Sequence, residues 1–296
     1  MLRPTLLLAL TLASSIAHAA APPTMASILA EAPAADWQPI DPDQLLVLQL
    51  DSGRVLIELA PAFAPEHAAN IRKLAQQGYY DGLAILRVQE NYVVQWGDPA
   101  GDGDAARSLG KAKSKLPAEF DRPSAGLSFT ALSDPDSYAP QTGISDGFPA
   151  ARDPASERAW LTHCYAMVGA GRGNAADSST GAELYVVIGH SPRHLDRNIT
   201  LVGRVVEGMD KLSVLPRGTG ALGFYEKPEQ HVPLRSIKLA STLPESERPR
   251  LERLRHDSAS FQRLIEARRF RREDWFVHPV GRIEVCNMPI PVRAAP

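Results

Sequence analysis

Residues 84–98, AILRVQENYVVQWGD, contain the pattern that decides the fold. Two apolar runs, 84–88 and 92–96, flank a polar tripeptide, which predicts two short β-strands joined by a turn. Arg87 lies in the first run and Gln95 in the second. An arginine among apolar strand residues is rare in a core unless it is paired or functional. The spacing alone favours the simpler alternative, an edge-strand arginine that reaches water.

Short strands are predicted on both sides of this segment. Upstream, the runs 45–50 and 54–59 enclose an Asp-Ser-Gly turn, which is typical of a hairpin. A helix is predicted from about Glu66 to Gln77, because Pro65 suits a first helical turn. Further strand-like runs occur at 164–168, 184–188, 200–206 and 232–239. Many short strands separated by turn signals indicate an antiparallel sheet or barrel.

The composition and the N-terminus indicate an exported soluble protein. Apolar residues make up 44% and charged residues 22% of the chain, and the formal net charge of -2 gives no field for nucleic acid. Residues 1–19 have Arg3, an apolar run at 6–16 and an Ala-His-Ala end, a pattern typical of a cleaved signal peptide. This predicts a periplasmic or secreted protein with no stable membrane insertion after cleavage. The alternative is an uncleaved N-terminal anchor.

Composition also suggests the domain boundaries. Residues 20–43 are rich in Ala, Pro and Asp and are interpreted as a tether before a domain at 44–240. Within that domain, 121–158 has many Pro, Ser, Asp and Gly residues and is interpreted as a mostly irregular insertion. Residues 241–296 form a C-terminal extension, for which apolar residues at helical spacing predict a helical structure.

Cys164 and Cys286 are the two cysteines of the chain. In an oxidising compartment an even pair suggests a disulfide. Two buried free thiols, which behave as small hydrophobes, are the alternative.

The stretch at residues 84–98 resembles the cyclophilin signature F-H-R-x-I-x-x-F-x-x-Q-G-G-D. Arg87 matches the arginine, Tyr92 the second aromatic residue, Gln95 the glutamine and Gly97-Asp98 the closing pair. Three further motifs resemble cyclophilin segments in the family's order: LPAEF at 116–120, GAELYVVIG at 181–189 and HLDRNITLVGRVVEGMD at 194–210. The resemblance covers roughly residues 45–240. In its pattern the chain is similar to a divergent, exported bacterial type of the family.

The resemblance implies a mainly β fold, a closed eight-stranded antiparallel β-barrel capped by helices. It also implies a peptidyl-prolyl cis-trans isomerase that assists the folding of exported proteins as a chaperone, binds proline-containing polypeptides and uses no cofactor and no metal. The isomerisation barrier is about 18–20 kcal/mol because the C–N bond has partial double-bond character. An enzyme lowers it by favouring the twisted amide over the planar one. Arg87, always charged, would bond the prolyl nitrogen, and Gln95 would bond the substrate backbone.

The resemblance also implies the substrate-binding residues. Tyr92, Val93, Tyr185 and Leu195 would line the proline pocket, although their spacing alone favours ordinary barrel core. The remaining implied positions are Gly169 and Ala170, through backbone groups, together with Glu183 and His194.

The sequence departs from the family pattern at several of these positions. Glu183 replaces a glutamine, His194 a tryptophan and Ile199 a histidine, while Leu86 and Trp96 change the signature itself. These departures leave a second hypothesis open, a cyclophilin-like module that binds proline segments or a partner without turnover. A small-molecule-binding β-barrel is a third.

Overall fold

The structure is a computed structural model that describes residues 22–101 and 103–296; the predicted signal peptide, 1–19, lies outside the described residues. The α-helices are α1 (Met25–Glu31), α2 (Pro65–Gln76), α3 (Met209–Ser213) and α4 (Ala259–Phe270). The 3-10 helices are Ala34–Asp36, Arg193–Leu195, Ala221–Gly223, Pro228–Gln230, Ala240–Thr242 and Val285–Asn287. Within the described ranges, no helix has the length and apolar content to cross a membrane.

The strands before the signature and through the insertion are β1 (Trp37–Pro39), β2 (Leu45–Leu50), β3 (Gly53–Leu59), β4 (Ala84–Val88), β5 (Val93–Gly97), β6 (Arg122–Pro123), β7 (Thr130–Ala131), β8 (Gln141–Ser145), β9 (Phe148–Asp153) and β10 (Arg158–Leu161). The later strands are β11 (Met167–Ala170), β12 (Leu184–Val187), β13 (Leu201–Glu207), β14 (Val232–Pro233), β15 (Ser236–Leu239), β16 (Leu251–Leu254) and β17 (Val292–Ala294). Antiparallel ladders join them into three sheets.

The main sheet has nine strands in the order β14-β4-β5-β12-β11-β13-β3-β2-β15. The expectation of a closed eight-stranded barrel is therefore not confirmed, since β14 and β15 remain the two edges of a curled, open sheet. These edge strands are only two residues apart in the chain, so the link at 234–235 brings the edges close at one end. The single predicted strand at 232–239 is split between them.

The predicted hairpin and first helix are both present. Strands β2 and β3 pair from Leu45↔Glu58 to Leu50↔Gly53, so the turn is the dipeptide 51–52. Helix α2 buries Ala68, Ile71 and Leu74 in the main core, as its 3.6-residue periodicity requires. The helix thus packs its apolar face against the inside of the curled sheet.

A carboxylate outside the helix caps the N-terminus of α2. Ala64, the residue before the helix, has no side chain that can cap it. Glu119 instead accepts hydrogen bonds from the backbone N–H groups of Glu66 and His67, each at 2.9 Å. It also contacts the His67 ring, with 2.6 Å between Nδ1 and Oε2. A negative charge at this position satisfies free N–H groups and opposes the positive end of the helix dipole.

The N-terminal segment is not a tether along its whole length. Residues 25–31 form α1, which packs on α4, and Trp37 of β1 pairs with Leu254 of β16. Ile28 and Trp37 are buried in a second core together with Phe261 of α4. The composition of 20–43 concealed this structure because the burial comes from contacts with residues more than 200 positions away.

Most residues of the inserted segment, 121–158, lie outside regular elements, but the segment also contains short strands that the sequence did not predict. Its strands, with the end of β10, form a five-stranded sheet in the order β6-β10-β9-β8-β7. Ile144, Phe148 and Leu161 enter the second core. The C-terminal extension contains a helix as predicted, α4, but this helix lies between two strands, β16 and β17, that pair with each other.

Buried charges join these added parts to the main sheet. Glu58 of β3, 2% exposed, accepts hydrogen bonds from Arg204 of β13 at 3.2 Å and from Arg253 of β16. Arg253 also pairs with Asp146 of the inserted segment at 2.7 Å. One carboxylate therefore connects the main sheet, the extension and the insertion.

Cys164 and Cys286 form a disulfide, with their Cα atoms 4.9 Å apart. The bond connects the approach to β11 with the C-terminal extension across 122 residues. Cys164 is buried in the second core, and Cys286, partly buried, packs against it.

Candidate active site

A row of residues crosses four neighbouring strands on the outer face of the main sheet. Arg87 pairs with Gln95 across β4 and β5, Gln95 with Tyr185 across β5 and β12, and Tyr185 with Gly169 across β12 and β11. Their strand neighbours, such as Val94, point into the main core. Because successive side chains alternate between faces, Gln95 and Tyr185 point outward. A register shift between residues 85 and 87 places the arginine on the same face.

The guanidinium of Arg87 is half-buried and bonded on several sides. Nε donates to the carbonyl oxygen of Leu222 at 2.6 Å, and Nη1 donates to Oε1 of Gln95 at 2.9 Å. Nη2 donates to the side chain of Gln89. Burial lowers the pKa of Arg87, and the charge of Glu183 is among the influences that oppose this shift. The group is fixed in place and remains protonated at neutral pH.

Two aromatic rings enclose the same guanidinium. The Cζ atom of Arg87 lies 5.4 Å from the ring centroid of Tyr92 and 5.4 Å from that of Phe224. Both distances are within the range of a cation–π contact. Phe224 belongs to the loop after residue 218, and an isolated bridge pairs it with Arg87.

Gln95 connects the arginine to an acidic residue and a cavity. Its Nε2 donates to Oε1 of Glu183, the residue before β12. Glu183 lines a cavity of about 420 Å³, together with Leu86, Asp98 and Arg172. The amide of Gln95 is therefore oriented, with its oxygen toward Arg87 and its nitrogen toward Glu183.

An apolar cluster lies beside this polar row. Val93, Tyr185 and Val187 are buried together, with Tyr92 and Ile199 packed against them. We call these five residues the outer cluster, since the sheet separates them from the main core. A charged donor next to an apolar, partly aromatic surface is suited to bind a ring that carries a nearby amide.

The family follows from the sequence match. A family model described as cyclophilin type peptidyl-prolyl cis-trans isomerase/CLD matches residues 45–239. The chain belongs to the cyclophilin family. This confirms the resemblance, and the family and its named relatives assign peptidyl-prolyl isomerase activity to this cyclophilin.

Related proteins support the same assignment. A probable peptidyl-prolyl cis-trans isomerase of Brucella suis is 28% identical over 188 residues, which are 61% of this chain and 76% of the relative. The human peptidyl-prolyl cis-trans isomerase-like 1 is 30% identical over 115 residues, 38% of this chain and 67% of the relative.

A solved structure extends the likeness beyond the family model. The cyclophilin AquaCyp293 from Hirschia baltica has a TM-score of 0.68 and 27% identity, over 92% of this chain and 98% of that chain. Since the family model spans only residues 45–239, coverage of 92% includes residues outside it. The added elements therefore have counterparts in another cyclophilin.

The structure places most of the expected site residues together, with three exceptions. His194 lies exposed on the 3-10 helix Arg193–Leu195. Leu195 is not among the described side chains that pack on the outer cluster. Ile199 packs there instead. The N–H of Ala170 donates to the carbonyl oxygen of Thr200 at 3.0 Å, so this donor is used within the sheet.

Sequence reasoning did not identify four of the groups around the site. Gln89 and Leu222 bond Arg87, while His163 and Asp196 extend from the hydroxyl of Tyr185. Gln89 lies in the stretch 84–98 and Asp196 in the motif 194–210, but neither was given a role. Leu222 and His163 carried no signal, because a carbonyl oxygen can come from any residue and a lone histidine has no characteristic spacing.

Proposed function

We propose that this cyclophilin accelerates the cis–trans isomerisation of Xaa-Pro bonds in exported polypeptides, with Arg87 as its catalytic residue. The observation that carries the proposal is the Arg87 guanidinium, held by Gln95 beside the outer cluster. The proline ring would pack on that cluster while the guanidinium bonds the prolyl nitrogen. As the C–N bond twists, the nitrogen lone pair localises and accepts this bond more strongly than it does in the planar amide.

The hydrogen bonds of Arg87 are consistent with this role. Within residues 22–101 and 103–296, its bonds to Leu222, Gln95 and Gln89 use three of the five guanidinium N–H donors. Two donors are thus left for a peptide by this part of the chain, and the bound ones fix the plane of the group in advance. Such preorganisation avoids reorientation during the reaction, which is how fixed dipoles lower barriers.

The exported context rests on two separate features. The leader-like pattern at 1–19 favours secretion, and the Cys164–Cys286 disulfide suits an oxidising compartment. Fractionation of cells that express the full chain tests it. Periplasmic or extracellular recovery of a shortened chain is expected, and a full-length cytoplasmic product would contradict it.

A protease-coupled assay on a short Xaa-Pro peptide tests the catalytic proposal. The wild type should accelerate isomerisation and Arg87→Ala should lose most of that acceleration. Arg235→Ala is a matched control, because this exposed arginine pairs with Asp51 away from the site, and it should keep the wild-type rate. Equal rates for wild type and Arg87→Ala would reject the role of Arg87.

One observation favours the second candidate, a module that binds proline segments without turnover. The carbonyl oxygen of Leu222 and the ring of Phe224 both contact the guanidinium, so one loop covers part of it. Under this candidate a peptide binds the outer cluster but does not reach Arg87. Peptide binding by calorimetry with no acceleration in the coupled assay would establish it.

A further inference from the structure

The hydroxyl of Tyr185 is the start of a chain of buried hydrogen bonds. Its Oη lies 3.0 Å from Nε2 of His163, and the planes of the two rings are nearly parallel, at 10°. Nδ1 of His163 lies 2.9 Å from Oδ1 of Asp196, which also accepts the backbone N–H of His163 at 2.9 Å. His163 is fully buried. None of these three polar groups is needed for an apolar pocket.

The protonation of this chain follows from its surroundings. Burial lowers the pKa of His163, although Asp196 opposes the shift, so the imidazole is neutral at neutral pH. Burial raises the pKa of Tyr185, which keeps its hydroxyl protonated. With Asp196 accepting from Nδ1–H, the bare Nε2 accepts the hydroxyl proton of Tyr185.

The ring of Tyr185 is also held in place by the backbone of Gly169. It lies across Gly169, its cross-strand partner, where an added Cβ would collide with Cζ and Oη of the phenol. The backbone of β11 thus supports one side of the ring and His163 holds its end. Val93 and Ile199 contact it within the outer cluster. The orientation of the phenol is set by groups outside that cluster.

The inserted segment, 121–158, is connected to these groups from outside. His163 lies two residues after β10, which begins at the end of the inserted segment, and precedes Cys164 of the disulfide. Arg193 donates from Nε to Oδ2 of Asp196 at 2.6 Å, and its two terminal nitrogens bond Asp136 of the inserted segment at 3.0 and 3.1 Å. The insertion is therefore connected to His163 in two ways, along the chain through β10 and through the bonded residues Asp136, Arg193 and Asp196.

We propose that the inserted segment is a positioning element for the substrate, which acts through His163 to hold the hydroxyl of Tyr185 and so fix the ring on which the proline packs. The inference rests on the proposed function. Without His163, the buried hydroxyl of Tyr185 has no acceptor and the ring must rotate to find one. Rotation moves it out of the position in which it can contact the proline ring, so peptide binding weakens.

Three variants separate this role from a general effect on stability. They are His163→Leu, Tyr185→Phe and the double variant, with Leu48→Ala as a control for a destabilised core far from the site. The measurements are kcat and KM for a short Xaa-Pro peptide. The dissociation constant of the same peptide is measured by NMR titration.

We expect His163→Leu to raise KM by roughly three- to tenfold, with kcat changed less than about twofold. Tyr185→Phe keeps the ring without the hydroxyl, so adding His163→Leu to Tyr185→Phe should change the KM of that variant less than about twofold. A wild-type KM in His163→Leu, or the same rise in KM from His163→Leu with and without the Tyr185 hydroxyl, would overturn the proposal. An equal rise in KM for Leu48→Ala would also overturn it.

Two further measurements test the role of His163 if the kinetic comparison fails. If His163→Leu does not fold, the ring-nitrogen shifts of His163 in the wild type report the tautomer, and a proton on Nε2 instead of Nδ1 would overturn the proposal. If the wild type binds peptide without accelerating isomerisation, the proposed function fails. The NMR dissociation constants of the same variants then still decide the role of His163.

Discussion

Arg87 and Gln95 face each other across β4 and β5, and Nη1 of the arginine donates to Oε1 of the glutamine at 2.9 Å. The glutamine in turn donates to Glu183. These two hydrogen bonds place the amide oxygen of Gln95 toward the guanidinium and its nitrogen toward Glu183. A partner that orients Arg87 influences the reaction only while the arginine is present.

The Gln95→Ala variant tests that dependence. It should lower kcat/KM about tenfold, or about 1.4 kcal/mol of transition-state stabilisation, because the guanidinium loses its orienting partner. The double variant Arg87→Ala/Gln95→Ala should be no slower than Arg87→Ala alone, as expected for residues that act as a unit. Fully additive losses in the coupled assay would show that Gln95 acts independently.

Glu58→Gln should destabilise the protein by about 3–5 kcal/mol, since it leaves the buried Arg204 without its counter-charge. Urea unfolding followed by fluorescence gives the free energy of unfolding. Arg54→Ala is the control: its pair with Glu207 is about half exposed, so the loss should be at most about 1 kcal/mol. Similar losses in both variants would mean that the buried cluster adds no more stability than a surface pair.

Glu119 should make stability depend on pH. Burial alone would raise the pKa of Glu119, but the hydrogen bonds from His67 and from the N-terminus of α2 prevail and lower it. A carboxyl whose folded pKa is below its unfolded value of about 4.3 stabilises fully above that value. The contribution is lost as the pH falls through the folded pKa. Unfolding of Glu119→Gln between neutral and acidic pH should show a shallower loss than the wild type; equal slopes would contradict this.

Loss of the disulfide should destabilise the fold strongly. The bond spans 122 residues, for which the chain-entropy model gives about 4–5 kcal/mol. The variant Cys164→Ala/Cys286→Ala should therefore unfold at a markedly lower temperature than the oxidised wild type in calorimetry. Reduced wild type should resemble the variant. A transition temperature that is unaffected by reductant would show that the native packing alone holds the extension in place.

The sequence predicted the parts of the fold that depend on local pattern. Alternation and turn residues identified the β2–β3 hairpin and the β4–β5 pair, and Arg87 with Gln95 followed from the signature. The second core was not predictable in this way. Ile28 lies in a short helix within an Ala- and Pro-rich stretch, and its burial depends on Phe261. Strands as short as Thr130–Ala131 carry no periodicity at all.

The pairing of β1 with β16 and the packing of α1 on α4 have a consequence for synthesis. Helix α1 and strand β1 leave the ribosome more than 200 residues before α4 and β16, so this part of the second core cannot assemble until those later elements have emerged. Contacts this distant along the chain slow folding because a long loop must close first. An isomerase with this arrangement would thus complete its second core late in its own synthesis, after α4 and β16 have emerged.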